Sequence, residues 1–346
     1  MARELTFAEA IREAIEIAMK QDENVILLGE DVAGGATVKH LEAKGEDAWG
    51  GVMGVSKGLM QKFGRDRIID TPISEAGYIG AAVAAAATGL RPIAELMFND
   101  FIGSCLDQIM NQGAKLRYMF GGKAKVPLTI RTMDGAGARS AAQHSQSLYA
   151  LFTSIPGLKV VVPSTPKDAK GLLLTAIMDD DPVVFFEDKL LYAMKGEVPE
   201  GFYTIPLGKA DIKRQGRDLT IIALGKQVYT ALEAAERLAT KGIQAEVIDP
   251  RSLSPLDEGT ILASVKKTNR LVIVDEANPR CSIAADISAL VADKGFDFLD
   301  APIKMVTAPH APVPFSPILE DAYLPSAEKI IKAVAEMIGE DQFITV

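Results

Sequence analysis

Apolar positions recur along this chain with two spacings, and their alternation predicts the fold class. In "LTFAEAIREAIEIAMKQDENV" the apolar residues Phe7, Ile11, Ala14, Ile15 and Ala18 fall on one side of a helix. Thr6 followed by Glu9 has the form of a capping box at its start. Short unbroken apolar runs follow: "VILLGED", "RIIDTP", "RPIAELMF", "VPLTIRT", "KVVVPS" and "PVVFFED". Runs that are apolar on both faces read as strands of a sheet covered on both sides. Between them stand helical stretches: the alanine run after "DTPISE", then "DFIGSCLDQIMNQGAKLRYM" and "TPKDAKGLLLTAIMDD". Strand alternating with helix predicts an α/β protein with a mostly parallel sheet.

The rhythm breaks at residues 192–209, where prolines, glycines and charges read as an interdomain linker. It then restarts with "DLTIIALG", "QVYTALEAAERLATKG", "AEVIDPR", "DEGTILASVKKT", "RLVIVDEA" and "SIAADISALVADKG". The expectation is two α/β domains, residues 1–191 and 210–346. A glycine-rich loop from Val32 to Gly58 is long enough to read as functional or disordered.

Composition narrows the partners. A chain of 346 residues exceeds a typical single core, in keeping with two domains. Its formal charge of −9 argues against nucleic acid or an anionic membrane surface. The apolar run from Ile79 to Leu90 is too short and too rich in alanine to span a bilayer. Cys105 and Cys281 stand alone, which fits a reducing compartment. No charged and apolar opening segment reads as a signal peptide, so the expected location is cytoplasmic.

Common motifs are mostly missing. "GAGARS" lacks the third glycine of a dinucleotide fingerprint, since Ser140 stands there. His40, His144 and His310 are too far apart for a local metal cluster. What remains are polar residues at the ends of predicted strands, where ligands of open α/β sheets bind. Glu30 and Asp31 end "VILLGED", Glu75 follows "RIIDTPIS", and His144 lies beyond "LTIRT". From the residues alone, Glu75 is equally a charge at the positive end of a helix. Glu30 and Asp31 read also as solvated loop acids, His144 as a structural histidine, and Phe101 as core.

Longer segments carry a resemblance. "DTPISEAGYIGAAVAAAATGLRPIAELMF", "AAQHSQSLYALFTSIPGLKVVVPSTPKDAKGLL" and "DDDPVVFFEDKLLY" resemble the beta subunits of thiamine-diphosphate-dependent 2-oxo acid dehydrogenases. The resemblance runs through "VIDPRSLSPLD" to "PFSPILEDAYLPS". Within the family, "GEDVAGGA", "AELMFNDFIGSCLDQ" and "VDEANPRCSIAADI" are closer to the acetoin-cleaving branch than to the pyruvate or branched-chain branches.

The resemblance implies a transketolase-like pyrimidine-binding domain followed by a transketolase C-terminal domain. It implies an α2β2 heterotetramer in which the alpha subunit holds the diphosphate and Mg2+ and beta holds the aminopyrimidine. This chain has "MDGAGA" but no GDG with a following Asn, so half of the coenzyme site is expected on the partner. By the same resemblance Glu75 is the catalytic acid that shares a proton with the pyrimidine ring. Phe101 stacks on that ring, Met97 is its neighbour, and Glu30 joins an acidic path between active sites. His144 handles protons at the reacting end. "TAIMDDDP" resembles a K+ site using oxygens of Leu128, Ala176, Ile177, Asp179 and Asp181.

The implied reaction cleaves acetoin to acetaldehyde, leaving a hydroxyethyl unit on the coenzyme that reductively acetylates a lipoyl group of the acyltransferase second component. The alternatives are oxidative decarboxylation of pyruvate or a branched-chain 2-oxo acid, and a non-catalytic scaffold subunit. The small residues after Glu75 are expected to pack across a subunit contact, so that enlarging Ala82 or Ala86 weakens assembly.

Overall fold

The computed structural model describes residues 2–34 and 49–339. His40 and most of the expected glycine-rich loop lie outside the described residues. The backbone divides into two units, residues 1–134 with 151–207, and residues 135–150 with 208–346.

The first unit opens with β1 (Ala2–Thr6) and α1 (Phe7–Gln21). The capping box forms: Thr6 Oγ1 accepts from the Glu9 amide at 3.2 Å, and the Thr6 amide donates to Glu9 Oε2 at 2.8 Å. The face that α1 buries carries Phe7, Ala10, Ile11, Ala14, Ile15, Ala18 and Met19. Then come β2 (Val25–Gly29), α2 (Leu59–Phe63), β3 (Ile68–Asp70), α3 (Glu75–Ala87) and β4 (Arg91–Phe98). They are followed by α4 (Ile102–Asp107), α5 (Leu116–Met119), β5 (Thr129–Asp134), α6 (Tyr149–Thr153) and β6 (Lys159–Val161). α7 (Pro166–Met178), β7 (Val183–Asp188) and β8 (Lys195–Pro199) complete the unit.

Its main sheet runs in the order β6-β7-β5-β4-β2-β3 with every neighbouring pair parallel. β2, β5 and β7 are buried along their whole length, as runs apolar on both faces require.

Two stretches differ from the expectation. Residues 192–209 are not simply a linker, because β8 pairs antiparallel with β1 from Lys195 opposite Thr6 to Pro199 opposite Ala2. The helix expected over 100–119 is broken: a 3-10 turn at Asn99–Phe101, then α4, a π turn at Gln108–Gly113, and α5. A Cβ on Gly80 would stand 3.2 Å from Gln108 Cγ, so α3 and the π turn are in close contact. π turns commonly mark functional positions within helices.

The second unit carries β9 (Asp211–Arg214), β10 (Leu219–Ala223), α8 (Gln227–Ala239), β11 (Ala245–Asp249), β12 (Ser252–Ser254) and α9 (Glu258–Thr268). β13 (Leu271–Asp275), α10 (Ile283–Lys294), β14 (Lys304–Thr307), α11 (Pro317–Tyr323) and α12 (Ala327–Ile338) follow. Its sheet has the order β14-β13-β10-β11-β9, parallel except for β9 against β11. Helices α8 and α12 cover one core built on Leu219, Ile221, Val247, Val272 and Ile330. Among the described residues no helix is long and apolar enough to cross a membrane.

Candidate functional site

Two neighbouring parallel strands of the first unit lead into acids, and a third leads into aromatic rings. Glu30 follows β2, is 7% exposed, and its Oε1 has no hydrogen-bond partner. Burial pushes its carboxyl group above the ordinary range, and the charges of Glu75, Asp31 and Glu95 add to the shift. A buried carboxyl oxygen without a partner is costly unless something polar completes it.

Glu75 is the first residue of α3, partly buried at the helix N-terminus. Ser104 Oγ stands 3.2 Å from its Oε2. One turn later Tyr78 is 5% exposed, and its hydroxyl has no hydrogen-bond partner. Burial, then Glu30 and Glu75, hold that phenol in its protonated form far above the usual range. Cys105 is fully buried beside them, its thiol pushed up to about 12 by burial and by Glu75.

β4 ends on Met97, half-buried, and Phe98, and the 3-10 turn that follows brings in Phe101. The two phenylalanine rings meet edge to face with centroids 5.5 Å apart, which fixes the plane of Phe101. Lys189 Nζ lies over the Phe98 ring at 5.4 Å.

Sequence reasoning missed the network beneath. Arg131 in β5 is 1% exposed and forks onto Glu187 in β7, with Nε and Nη2 each 2.7 Å from a carboxylate oxygen. Its Nη1 reaches Glu95 in β4 at 2.8 Å, and Tyr192 Oη donates to Glu187 at 2.6 Å. The signal was present: each of three apolar strands carries one charge in its interior.

His144 belongs to the second unit, in the segment 135–150. Glu276 takes the Ala136 amide and Glu320 takes the Gly137 amide at 2.6 Å. Arg139 bridges Glu320 and Asp321 at 2.7 and 2.6 Å, and Tyr149 donates to Asp275. The segment is thus pinned at both ends, with His144 half-buried on it. A cavity of about 260 Å³ beside it is lined by Ser145, Gln146, Glu276, Asn278, His310 and Tyr323, among others.

The oxygens expected to ligate K+ are otherwise engaged. Lys159 Nζ lies 2.7 Å from both Asp179 carboxylate oxygens and 3.3 Å from Asp181. Arg117 pairs with Asp181 at 2.6 Å, and Arg91 donates to the Ile177 carbonyl at 3.2 Å. The Leu128 carbonyl accepts from Val183 at 2.9 Å, and that of Ala176 from Asp179 at 3.2 Å. Positive charge at this turn comes from lysine and arginine, so these residues as arranged do not fit a further cation. Among the described residues no group of three or more His, Cys, Asp or Glu side chains converges as a metal site.

Comparison with known proteins identifies the family. The model of the transketolase pyrimidine binding domain matches residues 3–195, and that of the transketolase C-terminal domain matches residues 208–330. The chain is 72% identical over 340 residues to the acetoin:2,6-dichlorophenolindophenol oxidoreductase subunit beta of Bacillus subtilis, covering 98% of this chain and 99% of that one. It is 45% identical to the pyruvate dehydrogenase E1 component subunit beta of Rickettsia felis, covering 96% and 98%. A solved structure described as a split gene transketolase, inactive beta4 tetramer, superposes with a TM-score of 0.74 at 21% identity, covering 96% and 97%.

Proposed function

We propose, from the premise that this chain belongs to the family of transketolase-like beta subunits of acetoin and 2-oxo acid dehydrogenases, that it serves as the beta subunit of a thiamine-diphosphate-dependent acetoin dehydrogenase. The observation that carries the substrate is the wide gap in identity between its acetoin and pyruvate relatives. The described residues fit the pyrimidine half of the coenzyme. Glu75 offers a carboxyl group at an open helix end, Phe101 offers a ring of fixed plane, and Glu30 and Tyr78 bring buried polar atoms that lack partners.

When bound, thiamine diphosphate supplies the nucleophilic carbon and electron sink for carbon–carbon cleavage. The chain's own work is to hold and to exchange protons. Glu75 shares a proton with the pyrimidine ring nitrogen, and Phe101 with Met97 keeps the ring from tilting. His144 is assigned the proton on the substrate oxygen. Glu30 keeps a second acid close to Glu75, so that a proton has a neighbouring carrier.

An alpha subunit is assigned the diphosphate and Mg2+, in an α2β2 heterotetramer working in the cytoplasm with a lipoyl-bearing acyltransferase. The test is reconstitution with an alpha subunit, followed by reduction of dichlorophenolindophenol. Acetoin is expected to exceed pyruvate and branched-chain 2-oxo acids in kcat/KM by at least about tenfold. Turnover of a 2-oxo acid with none of acetoin sinks the assignment.

A further inference from the structure

We propose that Ser104 is a positioning residue for Glu75. Its hydroxyl holds one carboxyl oxygen in both protonation states, which leaves the other oxygen aimed at the pyrimidine ring. This rests on Glu75 being the ring's proton partner, as proposed above.

Ser104 Oγ lies 3.2 Å from Glu75 Oε2 and 2.8 Å from the Phe101 carbonyl oxygen. A hydroxyl carries one hydrogen and two lone pairs. Against an ionised Glu75 the hydrogen points at Oε2. When the ring-facing oxygen carries the proton, Oε2 is the carbonyl oxygen of the acid and the Ser104 hydroxyl still donates to it. Neither state leaves a donor without an acceptor. A lysine or arginine here would favour the ionised form alone, and a carboxylate would repel it.

The local fold supplies this partner. Ser104 follows Phe101 by three residues in the first turn of α4, so its side chain reaches back to that carbonyl. One hydroxyl thereby ties together the acid and the ring residue that face the pyrimidine. The titratable groups around Glu75 are Glu30 after β2, Tyr78 on α3 and Cys105 on α4, each of which feels its charge. The hydrogen bond to the carboxyl group comes from Ser104.

The experiment uses the reconstituted alpha–beta complex with Ser104→Ala and Ser104→Thr. Calorimetry with thiamine diphosphate and Mg2+, in buffers of different ionisation enthalpy, reads both Kd and the protons taken up on binding. Ser104→Ala is expected to raise Kd by about two- to tenfold, the range of one hydrogen bond. It is also expected to change the proton uptake and to displace a limb of the pH profile of kcat/KM. Ser104→Thr keeps the hydroxyl and is expected to restore all three. Unchanged Kd and proton uptake in Ser104→Ala, or a threonine variant that behaves like alanine at unchanged Tm, overturns the proposal. Glu75→Gln in the same assay separates the two readings. If it too leaves Kd and proton count unchanged, the role of Glu75 falls; if it changes them while Ser104→Ala does not, only the role of Ser104 falls.

Discussion

Glu75 sits where a helix end favours negative charge, so position alone does not separate a cap from a proton carrier. The surroundings favour the second. Three further groups of limited exposure crowd it, and two of them, Glu30 and Tyr78, have polar atoms without partners. Glu75→Ala in the reconstituted complex is expected to lower kcat at least tenfold, about 1.4 kcal/mol of transition-state stabilisation. Glu30 tests the electrostatics independently. Burial raises its carboxyl pKa in the folded state, so the native chain binds this proton more tightly than the unfolded chain. The cost of ionising it is absent below about pH 4 and grows as pH rises through the raised value. Glu30→Gln is therefore expected to raise Tm at pH 8 by about 2–4 °C, with the difference vanishing near pH 4, as read by thermal scans of the chain. Arg131 illustrates what a sequence leaves hidden at this scale. Glu95, Arg131 and Glu187 are visible as charges within the apolar runs "PIAELM", "LTIRT" and "VVFFED". Which of them pair depends on β5 lying between β4 and β7, a fact of strand order. Arg131→Met leaves Glu95 and Glu187 buried without their cation and is expected to cost about 3–5 kcal/mol, seen as a lower urea midpoint.

At the scale of elements, the start and the buried face of α1 were legible because its cap and its apolar face are local. α3 was legible as a helix but not in its facing. Ala82 and Ala86 turn into the core of their own unit, at 0% and 2% exposure. Ala76, Ala81, Ala84 and Ala87 are the exposed alanines. Ala82→Leu is therefore expected to overpack the first unit by about 1–3 kcal/mol and to lower the Tm of the chain alone. Ala84→Leu is expected to leave that Tm unchanged and to weaken association with partner subunits in sedimentation. The helix expected over 100–119 failed for a different reason. Its apolar periodicity is sound, but the π turn at Gln108–Gly113 shifts the facing of everything after it. The partnership of Ser104 with Glu75, 29 residues apart, has no local signal. The turn at Asp179–Asp181 carries its own test. A cation held at a hundred times its Kd would add about 2.7 kcal/mol. Replacing choline chloride with KCl is expected to shift Tm by less than about 1 °C, because Lys159 and Arg117 already neutralise the turn.

For the whole molecule, periodicity separated two α/β sheets. It did not reveal that residues 135–150 belong to the later unit. Their partners are single side chains such as Glu276 and Glu320, and a contact over that distance leaves no periodic trace. The proposed split of the coenzyme site between two kinds of subunit predicts that the chain alone binds thiamine diphosphate weakly. Calorimetry with Mg2+ that finds tight binding by the isolated chain would contradict the split. The placement of residues 135–150 also imposes an order in time. The Gly137 amide closes on a carboxylate 183 residues further along. At about 5–20 residues per second on the ribosome, that partner is translated roughly 10–40 s after the glycine. The loop that carries His144 is thus made early and anchored late, and a nascent chain stalled before Glu320 holds that loop by Asp275 and Glu276 but not by Glu320.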